Sequence, residues 1–312
     1  MKNTGRVIRS TGSWYSLKDE AGNYLEAKLK GSFKIKGIKS TNPLAVGDLV
    51  DFEFQEDKKI GLIHTIHPRK NYIIRKSTNL SKQTHIIAAN IDRAYLIATI
   101  AQPRTSTGFI DRFLVTAEAY HIPVTIIFNK SDLKEEKSDK LLDLYMKMYE
   151  KVGYTCIQTS ALTGAGVDSL KAELKEQVSL FAGHSGVGKS ALINAIDTFL
   201  NVKTGEISDA HSKGKHTTTF AEMLELSFGG FIIDTPGVKE FGVVDFEEQE
   251  VSHYFPEMRE RILGCKFNNC THVHEPSCAI KAAVESGEID EIRYINYLNI
   301  LNNVEDYKEE WE

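Results

Sequence analysis

The sequence predicts a multi-domain α/β protein: a small β-barrel over residues 1–70, a mostly parallel sheet with helices over 71–244, and a helical domain over 245–312. The first segment contains five short stretches that alternate apolar and polar side chains, as half-buried strands do. The second alternates strand-length apolar runs with amphipathic stretches long enough for helices. The last has no convincing strand and holds a cluster of cysteines and histidines.

The composition is that of an ordinary globular protein, with 41% hydrophobic and 26% charged side chains among 312 residues. It excludes collagen-like, low-complexity and wholly disordered chains. The longest apolar runs, Ala94 to Ala101 and Val124 to Phe128, are shorter than the roughly 18 residues that cross a membrane. No apolar segment follows Met1 to Gly5 as in a secretory signal, and cysteines are few. We therefore expect a cytoplasmic protein that does not enter a membrane and is monomeric by default.

The net charge of −5 conceals a basic N-terminal end. Residues 1–76 carry fifteen Lys and Arg against eight Asp and Glu, whereas residues 245–312 carry six against sixteen. A basic module on an acidic protein is typical of a surface that faces nucleic acid, although an ordinary solvated face explains the charge equally well.

The N-terminal segment is predicted to form a closed barrel of the oligonucleotide-binding (OB) type, with an SH3-like barrel as the alternative. Turn signals such as Val46-Gly47-Asp48 separate its strands. Four aromatic side chains could stack on bases or fill the core, and the small size of the domain favours the core: Trp14, Tyr15, Tyr24 and Phe33.

A phosphate-binding loop lies between an apolar strand, Val178 to Ala182, and a helical stretch that begins at Ala191. The loop fits the pattern G-x-x-x-x-G-K-[ST] and consists of Gly183, His184, Ser185, Gly186, Val187, Gly188, Lys189 and Ser190. Its glycines let backbone N–H groups wrap the β-phosphate at a helix N-terminus. Lys189 would neutralise the β- and γ-phosphates, and the Ser190 hydroxyl would take a Mg²⁺ position. The chain is therefore predicted to bind a nucleoside triphosphate.

The sequence Asn129-Lys130-Ser131-Asp132 predicts that the base is guanine. It follows an apolar strand, at the end where α/β sheets bind ligands. The Asp132 carboxylate can accept hydrogen bonds from N1–H and the 2-amino group of guanine, whereas adenine would leave it unpaired. Asn129 can bond the base edge or tie loops together, and the stem of Lys130 can lie over the base.

Further elements complete the predicted site. Ser160 and Ala161 follow the next strand, and the Ala161 N–H would meet the guanine carbonyl. Asp234 follows another strand and would hold Mg²⁺ through water, while the Gly237 N–H could contact the γ-phosphate. Thr218 lies in a polar segment that would order around the γ-phosphate and supply a second hydroxyl to Mg²⁺. Together these elements predict a GTP hydrolase.

The order of these elements is circularly permuted. In an ordinary GTPase the phosphate loop comes first, whereas here residues 129–132 and 160–161 precede it. Permutation is tolerated when the original termini lie close together at the surface. Because residues 217–237 now lead into the last domain, a nucleotide-dependent shift there could be passed to that domain.

A cluster near the C-terminus supplies three thiolates and one imidazole within fourteen residues, which is the ligand set of a closed, structural zinc site: Cys265, Cys270, His272 and Cys278. His274 is an alternative fourth ligand. Disulfides are the competing interpretation, but three cysteines cannot all pair within the cluster. The distant Cys156 is expected to be a buried small hydrophobe. We therefore expect one structural Zn²⁺, besides the Mg²⁺ that accompanies GTP.

The permuted order and the flanking domains resemble the ribosome small-subunit-dependent GTPase family (RsgA) along almost the whole chain. The similarity is densest in Ile87 to Asp92, Ile110 to Leu114, Asn129 to Asp132, the phosphate loop, His216 to Thr219, and Cys265 to Cys278. It implies an RNA-binding OB domain, a permuted GTPase domain and a zinc domain. It also implies a late assembly role on the small ribosomal subunit and its rRNA, with GTP hydrolysis stimulated by that subunit.

The resemblance also bears on catalysis. His216 matches a family position proposed to act on the attacking water, a role that suits a histidine, although it can also be only a loop residue. Lys189 and Thr218 complete the expected catalytic set. Val238 stands where a water-orienting glutamine is usual, so intrinsic turnover should be slow. The family spacing favours His272 over His274 as the zinc ligand.

Two other functions are open to the sequence. A P-loop ATPase or kinase with a zinc module would prefer ATP, which nucleotide competition tests. A nucleotide-dependent RNA-binding protein without significant turnover would show no stimulation of GTP hydrolysis by small ribosomal subunits.

Overall fold

The computed structural model describes residues 3–31, 43–76, 84–133, 135–203, 221–234 and 247–302. Along these residues an N-terminal barrel, a central sheet with helices and a helical C-terminal segment follow one another. The predicted fold class is therefore confirmed.

Five strands form the barrel: β1 (Asn3–Ser10), β2 (Tyr15–Asp19), β3 (Tyr24–Leu29), β4 (Leu49–Gln55) and β5 (Ile60–Ile66). They are ordered β1-β2-β3-β5-β4, and β4 pairs back onto β1, which closes the sheet. Only β3 and β5 are parallel among these neighbours, a Greek-key arrangement that agrees with the OB-type prediction.

The aromatic side chains of the barrel divide between its core and its surface. Tyr15 is buried with Leu17 and Phe52 in the barrel core, as predicted. Trp14 and Tyr24 are 38% and 58% exposed, so the core interpretation is wrong for these two. Phe33 lies outside the described residues.

A hairpin that the sequence analysis missed, β6 (Tyr72–Lys76) and β7 (Thr84–Ala89), connects the barrel to the central sheet. The turn before β4 docks against the end of β7, where the Ala89 N–H donates to the Val46 carbonyl at 2.8 Å. Gly47 has a φ of +93°, and a Cβ there would lie 2.1 Å from the Ala89 carbonyl oxygen. Only glycine fits so close a backbone approach.

The central sheet contains β8 (Arg93–Ala98), β9 (Val124–Phe128), β10 (Thr155–Gln158), β11 (Val178–Gly183), β12 (Glu222–Glu225) and β13 (Phe231–Asp234). Its order is β10-β9-β8-β11-β13-β12, and all of these strands are parallel except β12. Every residue of β9 and β11 is buried, because helices cover both faces of the sheet. A pairing between β12 and β1 joins this sheet to the barrel.

Four helices accompany these strands: α1 (Thr107–Ala119), α2 (Glu136–Lys151), α3 (Val167–Leu174) and α4 (Lys189–Ile196). The amphipathic pattern of the sequence predicts helices over 166–177 and 190–200, and α3 and α4 both end earlier than this. Glu176 has a φ of +59°, which is incompatible with a right-handed helix, so α3 ends before it and the chain turns into β11. At the end of α4 the carboxylate of Asp197 accepts hydrogen bonds from the N–H groups of Phe199 and Ser227 instead of allowing another turn.

The C-terminal segment contains short 3₁₀ turns and three helices: α5 (Pro256–Arg259), α6 (Ala279–Glu285) and α7 (Glu291–Leu301). The side chains of Cys278 and Asp290 cap the N-termini of α6 and α7. The sequence predicts that an apolar stripe of α7 packs against the protein: Ile292, Ile295, Leu298 and Leu301. This stripe is only partly buried, and Ile295 is 47% exposed. The most buried face lies one position further along and carries Arg293 and Asn296, because it meets a carboxylate of α1.

A search of the described part of the chain finds no helix with the length and apolar character needed to cross a membrane.

Candidate nucleotide site and metal centre

The phosphate loop joins the end of β11 to the start of α4. Gly188 caps α4 with a φ of +87°, and a Cβ at this position would lie 2.6 Å from the Asn129 amide nitrogen. Glycine is therefore required both for the left-handed turn and for the approach of Asn129. Val187 is fully buried among Leu192 and Ile193, which anchors the loop to the core.

The side chain of Asn129 ties three loops together. Its Nδ2 donates to the Val187 carbonyl at 2.8 Å, and its Oδ1 accepts from the Thr159 hydroxyl at 3.0 Å and from the Ala161 N–H at 3.3 Å. It is only 5% exposed, so these bonds replace contacts with water. Three loops thus converge at one edge of the sheet: residues 129–132, residues 160–161 and the phosphate loop. Of the two roles considered for Asn129, this geometry favours the connection of loops over a bond to the base.

Asp132 is held by the neighbouring loop. The Ser160 hydroxyl donates to its carboxylate and accepts from the Thr163 N–H at 3.1 Å. Lys130 has a φ of +63°, and its ammonium group donates to the Gln102 carbonyl, which lies on the loop before α1. The carboxylate is therefore oriented before any base arrives.

Asp234 and Lys189 form an ion pair at the phosphate end of the site. The parallel pairing of β11 with β13 sets Asp234 beside Phe181, two residues before the phosphate loop begins. Ser190 follows Lys189 in the first turn of α4 and is half-buried. A paired cation and carboxylate thus lie at a helix N-terminus whose first turn also carries a hydroxyl, a set of groups that suits a phosphate with its metal ion.

Four residues of the predicted site lie outside the described residues: His216, Thr218, Gly237 and Val238. Their roles stay predictions.

The order of the elements along the chain is that of a permuted GTPase, since β8, β9 and β10 precede β11 and the phosphate loop. The sequence profile of the RsgA GTPase matches residues 66–244, and that of the RsgA N-terminal domain matches residues 4–63. The chain belongs to the RsgA GTPase family. It is therefore a GTP hydrolase, as the sequence predicted.

Several RsgA relatives are similar along most of the chain. A protein of Flavobacterium johnsoniae named small ribosomal subunit biogenesis GTPase RsgA is 57% identical over 289 residues, or 92% of this chain and 89% of that protein. One of Bacteroides fragilis with the same name is 54% identical over 287 residues, or 92% of each chain. These proteins are therefore similar beyond the GTPase domain.

Two solved structures share the fold of this RsgA-family chain. The crystal structure of YjeQ from Thermotoga maritima has a TM-score of 0.78 at 34% identity, covering 97% of this chain and 99% of that one. YloQ, described as a circularly permuted GTPase, has a TM-score of 0.75 at 28% identity and 98% coverage of both chains. The predicted permutation is confirmed.

The C-terminal segment brings together the four predicted metal ligands, Cys265, Cys270, His272 and Cys278, with their donor atoms within 4.8 Å of one another. Nδ1 of His272 lies 3.6 Å from the sulfur of Cys265 and 3.4 Å from that of Cys278, and these two sulfurs are 4.0 Å apart. Ligands at about 2.3 Å from one tetrahedral zinc are roughly 3.7 Å from each other, so the cluster fits a single ion.

The protonation chemistry of the cluster also suits a metal ion. Burial raises the pKa of the Cys270 thiol to about 12, so metal binding must displace a proton from it. Burial lowers the pKa of His272, which keeps the imidazole neutral and able to ligate.

The competing interpretations of the cysteines and of His274 do not hold. All four cysteines are free thiols, and His274 is exposed and outside the cluster. Cys156 is partly buried against the central core, and burial raises the pKa of its thiol to about 12, as expected of an inert hydrophobe.

A buried ionic cluster that the sequence did not predict lies between α1 and the C-terminal segment. Arg293 is 1% exposed and donates to Asp111 and, with two nitrogens at 2.8 and 3.1 Å, to Glu257. Asn296 donates to the second oxygen of Asp111 at 2.6 Å. A carboxylate in the apolar stretch Ile110 to Leu114 was the available signal, since such a residue is rarely buried without a partner.

Proposed function

We propose that this GTPase binds the small ribosomal subunit and hydrolyses GTP to GDP during late maturation of that subunit. Binding to the subunit would stimulate the hydrolysis. The two relatives named above, at 54–57% identity, carry small ribosomal subunit biogenesis in their names. The work of such a protein takes place in the cytoplasm, and we propose that it acts there as a monomer. Residues 1–70 would bind rRNA, 71–244 would hydrolyse GTP, and 245–312 would hold zinc.

The observation that carries the GTPase site is the convergence on Asn129. Its side chain connects the phosphate loop, 58 residues away along the chain, with the loop after β10. A base held at Asp132 and phosphates held at the phosphate loop would then belong to one nucleotide. This geometry supports guanine recognition by Asp132 and Ala161, with Lys130 over the base.

The chain's own groups divide the reaction between them. The residues proposed to bind GTP are Asn129, Lys130, Asp132, Ser160, Ala161, Gly183, His184, Ser185, Gly186, Val187, Gly188, Lys189, Ser190, Asp234 and Gly237. Lys189 would break its ion pair with Asp234, and its ammonium group would then neutralise the β- and γ-phosphates. Mg²⁺, held by Ser190, Thr218 and Asp234, would supply further neutralisation of charge. His216 would orient the water for in-line attack on the γ-phosphate.

We also propose that the metal of the C-terminal cluster is zinc in a structural role. Three thiolates and one imidazole in a closed, largely buried site are the ligands zinc prefers, and no open position for a substrate is needed. The ion would bind through Cys265, Cys270, His272 and Cys278. It would hold a segment whose own apolar core is small.

Exposed aromatic and basic side chains support RNA binding by the barrel. The ammonium group of Lys28 lies 3.8 Å from the centre of the Trp14 ring, and both are on the surface of the basic N-terminal end. Such a pair offers a stacking face together with a charge for the phosphate backbone.

The test is GTP turnover by the full-length protein with and without purified small ribosomal subunits. We expect slow turnover alone and a marked increase with subunits, whereas large subunits serve as the control. Equal rates with both, together with no salt-sensitive binding to small subunits, would contradict the ribosomal role. Displacement of labelled GDP by an equal concentration of ATP would contradict the guanine assignment.

A further inference from the structure

The loop that carries His272 has an unusual backbone. His272 and Ser277 both have left-handed backbones, with φ of +60° and +57°. Residues other than glycine rarely adopt this conformation, because their Cβ crowds the following carbonyl oxygen. Surrounding contacts must therefore hold this loop in the shape that presents the imidazole to the cysteines.

One carboxylate provides most of these contacts. Oε1 of Glu275 accepts hydrogen bonds from the Thr271 N–H at 2.6 Å and from the Thr271 hydroxyl at 2.8 Å. Oε2 accepts from the N–H groups of Val273 at 3.0 Å and of His274 at 3.2 Å. The carboxylate thus grips the backbone immediately before and immediately after His272.

Helix α7 holds the other side of the same peptides. The hydroxyl of Tyr297 donates to the Thr271 carbonyl at 2.7 Å, and that of Tyr294 donates to the His272 carbonyl at 2.6 Å. With N–H groups bound to Glu275 and carbonyls bound to α7, His272 has little freedom to turn its ring away from Cys265 and Cys278.

Glu275 remains ionised in this setting. Burial alone would raise its pKa, but the hydrogen bonds from Thr271 and Val273 outweigh it and lower the pKa to about 2. Bonds to an ionised acceptor are roughly twice as strong as neutral ones. An anion beside a site with three thiolates is not needed to attract the metal, because the thiolates already supply that charge. Its use is geometric.

We propose that Glu275 is a positioning residue for the metal centre, which preorganises residues 271–274 so that His272 is aimed at the cysteine sulfurs. Glu275 does not ligate the ion. It acts through three hydrogen bonds from the backbone around the ligand and a fourth from the Thr271 hydroxyl. This role rests on the proposed zinc site, and it predicts that Glu275 sets how firmly the metal is held.

The experiment compares full-length wild type with Glu275→Gln and with Glu285→Gln as a matched control. Glu285 is exposed on α6, so its substitution removes the same charge from the same domain without touching the loop. Each protein is loaded with Zn²⁺, its metal content is measured, and release is followed after excess chelator is added. Co²⁺-loaded samples give the ligand-field absorption of the site.

We expect E275Q to bind one metal ion at saturation, but to release it about tenfold faster or more than wild type and E285Q do. Its Co²⁺ absorption should shift or weaken, a signature that general destabilisation of a folded protein does not produce. Release and absorption equal to those of E285Q would overturn the role of Glu275. Absence of metal from wild type would instead overturn the zinc site itself.

A second variant decides the case if E275Q does not fold. Thr271→Val removes only the hydroxyl bond to Glu275 and leaves the backbone N–H bonds in place. It should release Zn²⁺ a few-fold faster than wild type, between wild type and the expectation for E275Q. Release at the wild-type rate from this variant, in the absence of a folded E275Q, would contradict the proposal.

Discussion

At the scale of single residues, the nucleotide site depends on carboxylates and amides whose orientation is set by neighbouring loops. The hydrogen bonds of Asn129 lie within the protein, which leaves Asp132 as the side chain proposed to distinguish the base. The Ser160 hydroxyl directs one oxygen of that carboxylate and thereby orients the other. A substitution at Asp132 therefore changes recognition without removing a support of the loops.

Asp132→Asn should change the nucleotide preference of the protein from guanine to xanthine. The amide would present an N–H where the carboxylate presented an acceptor, and xanthine carries a carbonyl where guanine carries its 2-amino group. Loss of a charge-assisted pair costs about 1.5–3 kcal/mol, which is at least tenfold in affinity for GDP. Competition between GDP and XDP for the protein measures the exchange.

Asp139→Asn is the control, because Asp139 is an exposed carboxylate one turn into the helix that follows the same loop. It should leave both affinities unchanged. A D132N protein that still prefers GDP would show that the purine does not meet this side chain.

At the scale of elements, helix α4 is bounded by the phosphate loop at one end and by Asp197 at the other. Burial alone would raise the pKa of Asp197, but the N–H groups of Ser227 and Phe199 donate to it and lower the pKa below its usual value. Since Ser227 lies between β12 and β13, this carboxylate also ties α4 to the hairpin that ends at Asp234.

Asp197→Ala should therefore destabilise the protein by about 1–2 kcal/mol, because two part-buried hydrogen bonds lose their charged acceptor. The lowered pKa gives the sign of the pH effect: this contribution is present above the unfolded-state value near 4 and is lost as the pH falls below it. Urea unfolding at pH 7 and at pH 3.5 measures both effects.

The matched control is Asp143→Ala, on the exposed face of α2. We expect a change within about 0.5 kcal/mol at either pH. Equal losses in the two variants would mean that Asp197 does not serve as the cap described here.

Local chemistry predicted most of the elements that the structure brings together at the two candidate sites. The phosphate loop, the loops at 129–132 and 160–161, and the four metal ligands could be recognised because a fixed spacing of residue types is dictated by the ligand itself. The partial burial of the apolar stripe of α7 could not be predicted from local sequence. The buried face of this helix is set by the bond between Arg293 and Asp111, which are 182 residues apart along the chain. The β1–β12 pairing could not be predicted either, because the sequence of an edge strand does not specify which distant strand it pairs with.

At the scale of the whole molecule, helix α1 connects the nucleotide site to the C-terminal segment. Near its start the ring of Phe109 lies 3.6 Å, centre to centre, from that of His184 in the phosphate loop. Half a turn further on, Asp111 accepts hydrogen bonds from Arg293 and Asn296 of α7. Two tyrosine hydroxyls of the same helix donate to backbone carbonyls of the loop that carries His272. The three regions are therefore connected through contacts of α1 and α7.

The buried ionic cluster should consequently dominate the attachment of the C-terminal segment. Burial lowers the pKa of Arg293, but Asp111 and Glu257 outweigh this effect and raise it, so the guanidinium stays charged. Arg293→Met would leave two carboxylates buried without their cation, at a cost of about 3–5 kcal/mol. Chemical denaturation of the metal-loaded, full-length protein measures this loss of unfolding free energy.

Arg259→Met gives the comparison that isolates burial from charge. Arg259 pairs with Glu118 of the same helix α1 at 3.0 Å, but its side chain is 50% exposed. Water competes for such a pair, so its loss should cost less than about 1 kcal/mol. If R259M and R293M lost similar amounts, the contact between α1 and the C-terminal segment would be spread over its surface. A loss confined to R293M would instead identify the buried guanidinium of Arg293 as the centre of this contact.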